Sequence, residues 1–309
     1  MSYRWQQGDS MKRLVRIAGF TCVGIALVGV TGAIAIPLLS DRKQHRHVGV
    51  QVAAIQFKGA SALSDRGKHL FETRGCTACH GANGEGHVVI QDSGSLFIKA
   101  PNIAAGSIVS SYRDADWIRL LRHGVKPAGT PVFVMPSEDY AGFTDEDVGA
   151  LAGYVRSLPP APAAAAEFRL PMLLKALYVF GVVRDAAEKI DHSLPPPATV
   201  PEGPTPQYGA YIATMCTGCH GPGLSGGKIP GTPPSWPPAA NLTTAADSSM
   251  SRYEAPEQFR EMMRSGKRRD GTAVSNVMPF SSLRRMHDVE LDALFQFLKS
   301  TAPRTSGTR

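Results

Sequence analysis

Aromatic side chains are scarce in this chain. Phe, Tyr and Trp make up 7% of 309 residues, so the cores lack bulk unless something other than side chains fills them. Cysteine is also sparse: there are five, and no short-range cluster of four that would close a structural zinc site. The formal net charge is +7, but no run of five or more basic residues and no nucleic-acid-binding motif accompanies it, which argues against nucleic acid as a partner. Convincing strand alternation is absent too. What is abundant is Pro and Gly, 24 and 31 residues, the composition of long irregular loops between short helices.

Charge is missing altogether from one segment. Ile17 to Leu39, IAGFTCVGIALVGVTGAIAIPLL, holds no ionisable Asp, Glu, Lys or Arg over 23 residues, enough to span a bilayer as a helix. Arg4, Lys12, Arg13 and Arg16 precede it and favour a cytoplasmic N-terminus. The basic DRKQHRH that follows weakens the asymmetry. An uncleaved anchor is the expected reading. The rival is a signal peptide cleaved after AIA at Ala33–Ala35, against which stand the length of the run and the nearby Pro37. Either sends the rest of the chain out of the cytoplasm.

The remainder is an internal repeat. GCTACHG at Gly75–Gly81 matches MCTGCHG at Met215–Gly221. The flanks match in the same order: APNI with AANL, YRDADWIRLLRHG with YEAPEQFREMMRSG, FVMP with NVMP, and TDEDVGALAGYVRSL with HDVELDALFQFLKST. The offset stays between 139 and 143 residues. Each copy has three helical stretches. The third, in copy one, has Thr144 as N-cap with Asp147 three residues on and Val148, Leu151, Ala152 and Val155 at helical spacing. The second, DADWIRLLRHG, opens with an acidic N-cap candidate. Between the copies, Pro-rich ends flank an apolar stretch that is helical from about Met172, too short to cross a membrane comfortably.

Cys-x-x-Cys-His is the attachment signature of c-type haem. Two thiols add to the vinyl groups of the porphyrin, and the adjacent His ligates iron. Zinc and thioredoxin-like readings lack, respectively, nearby further ligands and a strand–helix context. The expected attachment residues are therefore Cys76, Cys79, Cys216 and Cys219, with His80 and His220 as axial ligands to two covalently bound haems c. Met135 and Met278 follow those histidines by 55 and 58 residues, each in the tripeptide VMP. They are the expected sixth ligands, and Met250, Met262, Met263 and Met286 their rivals in the second copy. Asn102 and Asn241 occupy equal places after the haem loop and read as turn-formers. The histidines outside the motifs read as solvated or locally bonded.

In these motifs the chain resembles a tandem pair of class I cytochrome c domains. The resemblance implies an all-α fold, with terminal helices crossing over a haem crevice. The domains expected are an N-terminus and transmembrane anchor at 1–40, a linker at 41–59, the first haem domain at 60–160, a Pro-rich linker with an apolar helix at 161–202, the second haem domain at 203–303 and a tail at 304–309. The PNI and ANL loops and the apolar connector resemble the cytochrome subunits of membrane-bound bacterial alcohol, gluconate and aldehyde dehydrogenases. Those usually carry three haem motifs and a C-terminal anchor, whereas this chain has two motifs and an N-terminal one. The implied role is single-electron transfer in a bacterial respiratory chain, between a periplasmic dehydrogenase or quinol-oxidising complex and a terminal acceptor or oxidase, from a single-pass anchor in the inner membrane with the haem domains in the periplasm. No catalytic residue is expected. The alternative is a dihaem peroxidase, which requires one iron with an open sixth position.

Overall fold

The computed structural model describes residues 3–57, 64–92, 95–162, 164–230, 232–233 and 235–308; residue 60, the expected start of the first haem domain, lies outside them. The chain opens with α1 (Tyr3–Gln44). Its stretch Lys12–Gln44 is long and apolar enough to cross a membrane, and none of its most apolar window is buried against the protein. The first repeat contributes α2 (Ser64–Thr73), α3 (Cys76–His80), α4 (Asp114–His123), α5 (Ser137–Tyr140) and α6 (Asp145–Ser157). The connector forms α7 (Met172–Val179) and α8 (Ala186–Lys189), and the second repeat forms α9 (Pro206–Ala213), α10 (Thr217–His220), α11 (Pro256–Ser265), α12 (Phe280–Leu283) and α13 (Asp288–Ser300).

The fold is mainly helical in its two haem-motif repeats, each built on a crossing of its first and last helices. In the first, Leu70 and Phe71 of α2 are fully buried against Val148, Leu151 and Val155 of α6. Gly67 sits at the crossing point: a Cβ there would lie 2.1 Å from the Ala150 carbonyl oxygen and 2.7 Å from Tyr154 Cβ. The second repeat does the same with α9 and α13, where a Cβ on Gly209 would lie 2.0 Å from the Ala293 oxygen and 2.7 Å from Phe297 Cβ. A glycine inside a helix costs roughly 1 kcal/mol relative to Ala. It is kept here because the backbones touch. Tyr208, Ile212, Leu291 and Leu298 complete that second core.

The helix ends follow the sequence with one adjustment. Thr144 caps α6 by accepting from the Asp147 N–H at 3.1 Å. At α4 the acidic cap is displaced inward: Asp114 is already helical, and Asp116 accepts from the Arg113 N–H at 3.0 Å. The alternation-free sequence did not suggest strands, yet a three-stranded antiparallel sheet exists, β1 (Val88–Gln91), β2 (Phe97–Lys99) and β3 (Glu167–Arg169), in that order. Strands of three or four residues are too short to show a period, and β3 comes from the connector, so pairing rather than propensity makes them.

A candidate haem-attachment pair across a pseudo-twofold interface

Each motif folds into a short helix whose histidine is held from behind. In copy one, Gly75 takes φ 85° and turns the chain into α3. In copy two that place belongs to Met215, whose Cβ disfavours the left-handed region, and the chain arrives instead through a 3-10 turn over Thr214–Cys216. Both helices close identically: Gly81 N–H bonds to Thr77 O at 3.0 Å and Gly221 N–H to Thr217 O at 2.8 Å. The imidazoles then pair with backbone carbonyls, His80 Nδ1 with Pro101 O at 3.0 Å and His220 Nδ1 with Ala240 O at 2.7 Å. A carbonyl can only accept, so Nδ1 carries the proton and Nε2 keeps its lone pair, the tautomer a metal ligand needs. Burial, opposed by the Pro101 bond, lowers the His80 pKa and keeps the ring neutral.

The cysteines are free of disulfides. Burial, with the neighbouring Cys79 adding to it, pushes the Cys76 thiol up to about 12, and burial followed by the Asp139 charge pushes Cys216 up to about 12. A reactive dithiol or a zinc thiolate wants the opposite, a depressed pKa in electropositive surroundings. Cys76 and Cys216 instead pack against the two apolar cores, where a covalently attached planar group would sit.

Met135 packs partly buried against the first core and Met278 against the second. The prolines that follow adopt nearly the same backbone, φ −80° and ψ 65° at Pro136 and φ −78° and ψ 61° at Pro279, and open α5 and α12. The rivals Met250, Met262, Met263 and Met286 are buried core residues. Asn102 does more than make a turn. Its Oδ1 accepts from Ala104 N–H at 2.7 Å while its Nδ2 donates to Ala161 O and Pro162 O at 2.9 Å. Asn241 repeats this with Thr243 N–H at 2.9 Å and Arg304 O at 2.8 Å, so in both copies one amide ties the haem-side loop to the chain beyond the last helix.

The two repeats face each other about a pseudo-twofold axis. α5, after Met135, lies on the Thr214–Cys216 turn and α10; reciprocally α12, after Met278, lies on α2 and α3. Asp139 accepts from the N–H of Gly218, between the second pair of cysteines, at 2.9 Å. Burial and then Glu138 raise the Asp139 pKa to about 7 against that hydrogen bond. Arg74, two residues before Cys76, reaches Met215 Sδ at 3.5 Å, and Tyr140 OH donates to the Arg74 carbonyl at 3.0 Å.

Around these contacts runs a polar clamp that the sequence did not reveal. Glu290 of α13, fully buried, takes His69 Nε2 of α2 at 2.6 Å and Nη2 of Arg74, just past α2, at 2.8 Å, and the ring of His287, the N-cap of α13, stacks on His69 with centroids 4.0 Å apart. The symmetry-equivalent contact joins Asp147 of α6 to Tyr211 of α9, with Arg66 on the same carboxylate at 2.8 and 3.0 Å. His69, His287 and Glu290 place three donor atoms within 4.8 Å of one another. Because Arg74 already sits on that carboxylate, a divalent ion there would meet a buried cation, and the cluster is a clamp rather than a metal centre. The only sequence signal was positional: Asp147 and Glu290 hold the same place in the two repeats, a place that capping alone explained.

The Cytochrome c family model matches this chain over residues 64–159 and 207–302. The chain belongs to the cytochrome c family. Among curated proteins, it is 32% identical over 115 residues to the Cbb3-type cytochrome c oxidase subunit CcoP of Helicobacter pylori (strain 52), covering 37% of this chain and 34% of that protein. It is 26% identical over 271 residues to the gluconate 2-dehydrogenase cytochrome c subunit of Pantoea cypripedii, covering 77% and 59%. To the fructose dehydrogenase cytochrome subunit of Gluconobacter japonicus it is 24% identical over 267 residues, covering 76% and 52%. The chain thus spans from a third to three-fifths of the length of these relatives. Cytochrome c domains carry covalently bound haem c and transfer electrons, and two such domains fit two haems. The donor set in each copy, two thiols, an imidazole whose Nδ1 is held by a backbone carbonyl, and a thioether, suits that cofactor.

Proposed function

We propose that this cytochrome c is a membrane-anchored dihaem electron carrier, with one haem c on Cys76 and Cys79 between His80 and Met135, and a second on Cys216 and Cys219 between His220 and Met278. Haem c supplies a reversible one-electron couple, and a thioether opposite imidazole raises its potential relative to a second imidazole. The chain's residues do the rest. The Pro101 and Ala240 carbonyls orient the two imidazoles, the apolar cores pack against Cys76 and Cys216, and the contacts Arg74–Met215 and Asp139–Gly218 fix the attachment segments relative to each other. The observation that carries the reading is the repetition of one donor set in two copies whose attachment segments touch across the interface. Such a pair suits two electron stations in series. The matching backbone at Pro136 and Pro279 supports two saturated irons over a peroxidase with one open iron.

The names of the relatives, an oxidase subunit and two dehydrogenase subunits, support a place between a dehydrogenase or quinol-oxidising complex and a terminal acceptor or oxidase. The apolar α1 supports a single-pass anchor in a bacterial inner membrane, with the haem domains in the periplasm. Pyridine haemochrome assay of the purified chain is expected to give two haems c, and Cys76→Ser with Cys79→Ser one. Potentiometric titration of Met135→Ala and Met278→Ala is expected to lower one couple each and leave the other in place. A count of one in the unaltered chain, or a Met variant with both couples unchanged, refutes the assignment.

A further inference from the structure

The connector carries an apolar surface that no part of the described chain covers. Beyond α1, the large apolar side chains that are at least 60% exposed are Ile108, Leu173, Phe180, Val182 and Leu194. Three of these five fall in the short stretch from α7 to the turn after it, and Met172 adjoins them at 46% exposed. This is the stretch whose sequence is too apolar for a linker and too short for a span.

Its position is set by α1. Tyr178 of α7 is fully buried. Its carbonyl accepts from Lys43 Nζ at 2.8 Å, its ring lies under that ammonium at 4.4 Å, and its hydroxyl donates to Asp185 at 2.6 Å. Arg46 bonds the same hydroxyl at 3.0 Å and the same carboxylate at 2.5 and 3.0 Å. Lys43 also pairs with Glu188 at 3.0 Å. These bonds pin α7 to the last turn of α1. Lys43 is four residues past Leu39, the end of the apolar run, which is about 6 Å along a helix. The headgroup layer outside the hydrocarbon core is about 5–8 Å deep on each side. A helix fastened there lies at the depth of the headgroups, beside the exposed Leu38 and Leu39 of α1. Exposed Arg42 and Arg184 border the patch, as cations border apolar helices that lie in an anionic lipid surface.

We infer that Met172–Val182 is a second, interfacial membrane contact, with Leu173, Phe180 and Val182 inserted into the outer edge of the bilayer alongside α1. The inference rests on α1 being a membrane span. It holds the first haem domain against the lipid surface, since Ala186 N–H bonds to Val132 O at 3.0 Å, close to the Met135 loop. The apolar face is satisfied by phospholipid and not by a partner protein.

The test uses the full haem-loaded chain in vesicles of phosphatidylethanolamine and phosphatidylglycerol. In the holoprotein the motif cysteines are consumed as thioethers, leaving Cys22 in α1 as the native free thiol. In a Cys22→Ser background, Leu173→Cys and Phe180→Cys are compared with Ser300→Cys, an exposed site on the far repeat, and haem absorption verifies folding of each. A membrane-impermeant maleimide is expected to label 173 and 180 at least tenfold more slowly than 300, and a membrane-soluble pyrene maleimide to label them readily. Labelling at the rate of residue 300 overturns the proposal, as does protection from both reagents, which would mean a protein cover. Cys22 in the unaltered chain separates the two readings. If Cys22 is protected while 173 and 180 react, the span stands and the interfacial contact falls; if Cys22 reacts with the impermeant reagent, both fall.

Discussion

Replacing Glu290 by Gln tests the clamp between the haem domains. Gln keeps the volume and can still cap α13, where Glu290 accepts from the His287 N–H at 2.9 Å, but it removes the charge opposite Arg74. That pair is 2.8 Å long, with side chains only 2% and 1% exposed. Breaking a buried pair by removing one partner costs about 3–5 kcal/mol, because the other charge stays buried and uncompensated. Linkage gives a second route to the magnitude. Burial pushes the Glu290 carboxyl up, but the His69 hydrogen bond, the Arg74 and His69 charges and the His287 N–H more than reverse it, from 4.5 to about 2. At about 1.4 kcal/mol per tenfold change in proton affinity this is about 3 kcal/mol. Since the folded-state value is depressed, that stability is present above about pH 4.5 and is lost as pH falls toward 2. Guanidinium unfolding, followed by circular dichroism and haem absorption, is expected to show Glu290→Gln less stable by about 3 kcal/mol at pH 7, with the gap to wild type closing between pH 4.5 and 2. Arg74→Met added to Glu290→Gln is expected to recover part of the loss. A gap under about 0.5 kcal/mol at pH 7, within the scatter of ordinary surface substitutions, or a gap that does not change with pH, refutes the reasoning.

Three further outcomes follow from the same contacts. Gly67→Ala and Gly209→Ala each push a methyl into a carbonyl at the helix crossing, and thermal unfolding is expected to show losses of roughly 3 kcal/mol, the upper end for overpacking; full stability in either would mean the helices do not cross there. Asp139→Asn keeps an acceptor for Gly218 and removes a carboxyl whose pKa burial raises to about 7. The raised value means that the contribution of Asp139 to wild-type stability is most favourable below about pH 4 and falls as pH rises through 7, so the variant is expected to be the more stable protein at pH 8, with the difference vanishing toward pH 4. Asn102→Ala and Asn241→Ala each cut the tie between the haem-side loop and the segment beyond the last helix, and hydrogen exchange is expected to rise at Ala104 in the first and at Thr243 in the second, without change in the other copy.

The amino-acid order alone determined the repeat, the two attachment motifs, the Met loops and the apolar first helix. These are local: Cys-x-x-Cys-His is one helical turn, VMP a tripeptide, and a 23-residue uncharged run declares itself by length. The family matches agree with the repeat and the helical fold with its helical stretches, and Thr144 caps α6 where the pattern placed it. Tertiary structure decided what is long-range. The sheet β1–β3 needs a strand from the connector. Arg74, His69 and Asp139 gain meaning only against Glu290 and Gly218, from 79 to 221 residues away. Asp147 read as part of a cap because capping is a short-range pattern, whereas its carboxylate is spent on Arg66 and Tyr211. A sequence shows which groups are able to ionise or donate; only the packing of two copies against each other fixes which of them are desolvated together, and desolvation sets the strength of every charge in that interface.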